Sequence, residues 1–171
     1  MSDEGFVREI RRRAHVYDQH SGCSQSVLLA LQEGFDVGDV ESFKAATVLS
    51  GGVARRGETC GALLGALMAL GLVLGREKIE DTSQYVHAVG IADEVCDEFQ
   101  RRLGEEFGFD EPLQSTLCRD IQTKIYGHSF DLRNPVEREA FLSAGGHSDE
   151  GCYKVCGIAA EVAAKKLLEQ I

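Results

Sequence analysis

Only two prolines, Pro112 and Pro135, occur in 171 residues, so little in the chain opposes long helices. Positive charge is scarce as well: 18 Lys and Arg face 28 Asp and Glu, a net charge of −10. That balance argues against a protein that binds phosphate backbones by bulk attraction, and no nucleic acid is expected as a partner. Arginines cluster at Arg11–Arg13, Arg55–Arg56 and Arg101–Arg102. Acidic neighbours make most of these a solvated helix surface, and Arg55 and Arg56 alone are kept as a candidate anion site. No apolar run is long: the longest, Ala62 to Leu74, is too short to cross a bilayer as a helix. The N-terminal stretch MSDEGFVREIRRR lacks the apolar core of a secretory signal. No membrane association is expected, and the expected compartment is the reducing cytoplasm, where six cysteines do not form a disulfide framework. Sustained β-alternation bounded by hairpin turns is missing, so strands should be scarce. Local site motifs are missing too: there is no CxxC pair, CxxCH haem attachment, ferredoxin-type run, serine-nucleophile elbow, HExxH or P-loop.

What is present is helical periodicity over nearly the whole chain. Phe6, Ile10, Ala14 and Tyr17 share one face of a first segment, which Ser21–Gly22 interrupts. Cys23 opens CSQSVLLALQEGF, with Ser21 or Ser24 as its cap and Gly34 as its stop. A third segment runs from about Val40 to Leu49, followed by the loop GGVARRGE. The stretch TCGALLGALMALGLVLG, about 58–75, reads as a central buried helix with Leu63, Leu67 and Leu70 in the core. Its stripe of Gly61, Ala62, Gly65, Ala66 and Ala69 allows another helix to approach closely. From Thr82 to Phe107 an amphipathic pattern carries Val86, Val89, Ile91, Val95, Phe99, Leu103 and Phe107. Pro112 opens a helix over about 113–126 with Cys118 in its middle, VEREAFLSA forms a short one, and the last starts near Asp149. The expectation is one all-α domain over 1–171, a compact bundle of seven to eight helices around the central apolar one.

Three cysteines fall at predicted helix starts: Cys23, Cys60 and Cys152. A helix N-terminus offers free N–H groups and partial positive charge, contributing at most ~2 kcal/mol to a thiolate. That stabilisation would make a thiol reactive near neutral pH, or help hold an anionic thiolate–metal cluster. Cys156 lies one turn after Cys152 and can face the same site. Cys96, in mid-helix, reads as core, and Cys118 is ambiguous by position alone. His20, three residues before Cys23, and His147, five before Cys152, could complete a mixed site, although an exposed or capping histidine is the more ordinary role.

The stretches SGCSQSVLLA (21–30), GGVARRGETCGALLGALMALGL (51–72), LCRDI (117–121) and GCYKVCGIAAEVA (151–163) resemble, in order, the redox-active proteins named for the cysteine pattern C_GCAxxG_C_C. The second stretch is the specific one, although its order is Cys60–Gly61–Ala62 where the pattern has Gly–Cys–Ala. The resemblance implies a helical redox domain with Cys23, Cys60, Cys118 and Cys152 as signature cysteines, Gly61, Ala62 and Gly65 as motif residues, and Cys96 and Cys156 as extras. Related domains occur in dimeric split-Soret cytochromes, which combine haem c with an iron–sulfur centre; haem c does not carry over, because its attachment motif is missing. The leading expectation is therefore an electron-transfer protein or oxidoreductase. Its iron–sulfur cluster would be held by Cys23, Cys60, Cys118 and Cys152, with Cys156 as a further candidate ligand, and a redox protein would be its partner. The alternatives are a thiol–disulfide protein using Cys23 and Cys60, a structural zinc site, and a helical interaction module with buried cysteines. A homodimer is expected from the small-residue stripe and from the related cytochromes.

Overall fold

The computed structural model describes residues 2–171. Eight α-helices account for most of them: α1 Asp3–Tyr17, α2 Cys23–Phe35, α3 Val40–Ala45, α4 Gly61–Leu74, α5 Thr82–Phe107, α6 Cys118–Tyr126, α7 Pro135–Ser143 and α8 Cys152–Leu168. Short 3-10 turns follow α1 (Asp18–His20) and α3 (Ala46–Leu49). The described residues contain no β-strand, only an isolated antiparallel bridge between Thr59 and Leu117. The all-α bundle is thus the fold expected from periodicity.

Two kinds of helix start divide the bundle. Ser2, Asp39, Asp81 and Asn134 cap α1, α3, α5 and α7 through their side chains, and α7 also has Pro135 in its first turn. The other four helices, α2, α4, α6 and α8, start behind Gly22, Cys60, Leu117 and Gly151 with no side-chain cap. Each uncapped start carries a cysteine, as the first helical residue of α2, α6 and α8 and as the cap residue of α4. Ser24, a candidate cap by sequence, instead donates its buried hydroxyl to the Ala46 carbonyl at 2.7 Å.

Helix α4 lies inside as expected, packed on α2, α8 and α5, with Leu63 and Leu70 buried and Leu67 at the margin. Its small-residue stripe is covered within the chain. A Cβ on Gly65 would stand 2.2 Å from the Ser24 carbonyl oxygen, so only glycine lets α2 and α4 come this close. The stripe therefore offers no face to a second copy. Helix α8 shares the centre, touching α1, α2, α4 and α5, and its alanines Ala159, Ala160, Ala163 and Ala164 keep those approaches short. On α5 only Val95, Phe99 and Leu103 are buried, while Val86 and Val89 are exposed and Ala88 and Ile91 are partly buried against the core. Among the described residues no helix is long and apolar enough to cross a membrane.

Candidate functional site

The four uncapped helix starts meet. Cys23, Cys60, Cys118 and Cys152 line a single cavity of about 350 Å³, together with Cys156. Cys118 reaches it because residues 113–117 do not continue the helix. Leu117 pairs with Thr59, the Cys60 N–H donates to the Thr116 carbonyl at 2.8 Å, and the Cys118 N–H donates to the Glu58 carbonyl at 2.7 Å. This corrects the reading of Cys118 as a mid-helix residue: Pro112 opens an extended segment, and the bridge to Thr59 places the α6 start beside the α4 start. Likewise α8 begins at Cys152, three residues later than expected, after a tight turn through Gly145–Gly151. Cys156 is fully buried one turn on. Cys96 stands apart, half-buried on α5. All six cysteines are free thiols.

Glycines make the space. A Cβ on Gly61 would sit 2.5 Å from the Cys23 sulfur, and one on Gly52 would sit 2.7 Å from the Cys118 Cβ. The loop between them is unusual. Gly51, Gly52, Val53, Ala54 and Arg55 all have left-handed φ, between 51° and 69°. A non-glycine residue there costs about 1–2 kcal/mol, and a β-branched valine is an outlier. The turn brings the Gly51 N–H to the Cys23 sulfur and Arg55 to the cavity wall. Gly51, Gly52 and Gly57 mark a loop in the sequence, but nothing there foretells Val53, Ala54 and Arg55 in this conformation.

The thiols are not the activated ones that helix ends alone would produce. Burial, with the neighbouring Cys60 and Asp18, pushes Cys23 up to about 12, against hydrogen bonds from the Gly51 and Ser24 backbone. Burial also raises Cys60, despite the Leu63 and Ala62 N–H groups that favour its thiolate. Cys118 rises through burial and the proximity of Cys60 and Cys23. Cys152 and Cys156 rise for the same kind of reason. Desolvation outweighs the helix ends, so an unliganded site holds neutral thiols. The sulfurs also raise one another across the cavity, since each thiolate is repelled by its neighbours' charge.

Other residues surround the sulfurs. Gln122, nearly inaccessible, donates from Nε2 to the Cys118 sulfur at 3.5 Å and accepts the Phe130 N–H on its carbonyl oxygen. The Tyr126 hydroxyl donates to the Gly146 carbonyl at 3.0 Å and lies 3.8 Å from the Cys152 sulfur. His147 lines the cavity, whereas His20 is exposed and does not. Arg55 and Arg138 are also at the wall; Arg56 is exposed and outside it. Asp18, buried at the end of α1, faces the same space. Sequence reasoning missed Asp18, Gln122, Tyr126 and Arg138, since none belongs to a local motif. Its only available signal was five-residue proximity of Asp18 to Cys23.

Five of the cavity's donors are sulfurs, which suit soft metals and iron–sulfur centres, and Asp18 and His147 line the same space. Among the described residues no three His, Cys, Asp or Glu side chains gather on a single point suited to one metal ion. A family model described as "Putative redox-active protein (C_GCAxxG_C_C)" matches residues 21–166. No curated protein and no solved structure matches the chain.

Proposed function

Because the chain belongs to the C_GCAxxG_C_C family of redox-active proteins, we propose that it transfers electrons through an iron–sulfur cluster seated in the thiol cavity. The observation that carries this reading is the convergence of Cys23, Cys60, Cys118 and Cys152, from four separate uncapped helix starts, on one cavity. Those four would be the ligands, with Cys156 as a fifth sulfur behind Cys152. A bound cluster would supply one-electron oxidation and reduction. The chain's own contribution is electrostatic: backbone N–H groups of Ala62 and Leu63 reach the Cys60 sulfur, those of Gly51 and Ser24 reach Cys23, and Gln122 reaches Cys118. Such donors ease the charge of thiolate ligands and set the potential. Six unpaired thiols suit a reducing compartment such as the cytoplasm.

The test is anaerobic loading with ferrous iron and sulfide, followed by iron and labile-sulfide counts per chain. The wild type and Cys96→Ser should both take up the cluster with its visible absorption, and Cys60→Ser and Cys118→Ser should not. Absence of uptake by the wild type, or equal loss in Cys96→Ser, would end this reading.

A further inference from the structure

The molecule contains two well-buried carboxylates on its helices, and it treats them differently. Glu161 on α8 is 6% exposed and has Arg11, Arg102 and Lys165 within ion-pair distance. Asp18, at the start of the 3-10 turn after α1, is 1% exposed, and neither of its carboxylate oxygens has a hydrogen-bond partner. Among the described residues its one basic neighbour is His147, with Nε2 3.5 Å from Oδ2. Its charge is also felt by thiols and phenols around the cavity: Cys23, Cys60, Cys152, Cys156, Tyr126 and Tyr153. A buried carboxylate with no hydrogen-bond partner and a single imidazole at 3.5 Å is a costly arrangement unless a further cation joins it. Asp18 also lies upstream of the family match, which starts at residue 21, so the cysteine pattern does not account for it.

We propose that Asp18 is an oxygen donor to the metal centre in the thiol cavity, making the ligand set a mixed one of sulfur and carboxylate. The inference rests on the reading that the cavity takes a metal centre, and adds to it a ligand outside the cysteine pattern. Asp18 reaches the cavity through a turn in which Ser21 adopts φ 67° and Gly22 φ 95°, bringing residues 18 and 23 to one wall. His147, whose Nδ1 lies 3.3 Å from the Tyr153 hydroxyl, is placed to orient the carboxylate as a positioning residue.

The variant that tests this is Asp18→Asn, which keeps the shape and removes the charge, studied as the full chain. Metal-free Asp18→Asn should melt at or above the temperature of metal-free wild type, since the carboxyl it replaces has no hydrogen-bond partner to lose. Loaded with ferrous iron and sulfide, it should lose iron to a chelator at least tenfold faster and give an altered electron paramagnetic resonance spectrum. Unchanged iron retention and spectrum would overturn the Asp18 assignment while leaving the cluster reading intact. So would a metal-free variant that melts well below wild type, because Asp18 would then be a structural residue. Cobalt(II) provides the converse arm. If the wild type refuses iron and sulfide but binds cobalt with a mixed sulfur–oxygen spectrum that Asp18→Asn loses, Asp18 stands as a donor and the cluster reading falls. A wild type that takes neither metal would overturn both.

Discussion

Gly61 shows how little room the residues around the cavity leave. An added methyl group would meet the Cys23 sulfur at 2.5 Å and the Leu49 carbonyl oxygen at 2.9 Å. Gly61→Ala should therefore cost about 1–3 kcal/mol in urea denaturation and reduce iron uptake, because the Cys23 sulfur must shift. A neutral effect on both would mean that the Cys23 side chain moves freely. The thiols themselves make a second prediction. With Cys23 pushed up to about 12 by burial, and Cys60, Cys118, Cys152 and Cys156 raised too, the metal-free folded protein should alkylate slowly at pH 7. Its rate should climb well above the range of an ordinary thiol, near 8.5. Fast single-site alkylation at neutral pH, located by mass spectrometry, would favour the disulfide-exchange alternative, which needs a low-pKa attacker. This is where the sequence misleads most. A cysteine at a helix start looks activated, and only the packed structure shows that desolvation is the larger effect.

Helices α1, α5 and α8 are clamped by charge as well as by packing. Glu161 on α8 accepts from Arg11 on α1 at 2.5 Å and from Arg102 on α5 at 3.3 Å. Burial pushes its carboxyl up, but Lys165 and Arg11 outweigh that and hold it below the usual range. A depressed folded value stabilises the protein above the unfolded carboxylate value, ~4.3, and the contribution disappears as pH falls through the folded value. Glu161→Gln should thus lose about 1.5–3 kcal/mol at pH 7, and its gap to wild type should close toward pH 3. A gap that stays constant with pH would show that packing, not charge, is at work. The elements themselves were largely legible from the 3.6-residue periodicity, since Ile10, Leu28, Leu63, Phe99 and Ile158 fall on buried faces. The start of α6 was not, because the bridge between Thr59 and Leu117 is a contact between segments 58 residues apart and leaves no local trace. The exposed Val86 and Val89 likewise obey the helical pattern while finding nothing to cover them.

Over the whole molecule, the apolar core and the site are separate structures that share helix ends. The core is built where α8 meets α1, α2, α4 and α5, whereas α6 and α7 have no extensive helix packing of their own. They are tied on instead through the Thr59–Leu117 bridge, Gln122 and the Tyr126, Phe130 and Phe141 rings. Replacing Cys23, Cys60, Cys118 and Cys152 together by serine should accordingly leave a helical circular dichroism spectrum and a cooperative melt. Amide exchange should quicken in α6 and α7 and little elsewhere. Global unfolding of that variant would mean that the site, not the core, holds the bundle together. The cavity also has a history in time. Its walls come from α2, the α4 start, the α6 start, α7 and α8, in that order along the chain. A ribosome releases Cys23 long before Cys152, so no pocket exists until α1 to α7 have been made and α8 has folded back among them. Whatever enters the cavity must therefore be delivered late, to a nearly finished protein.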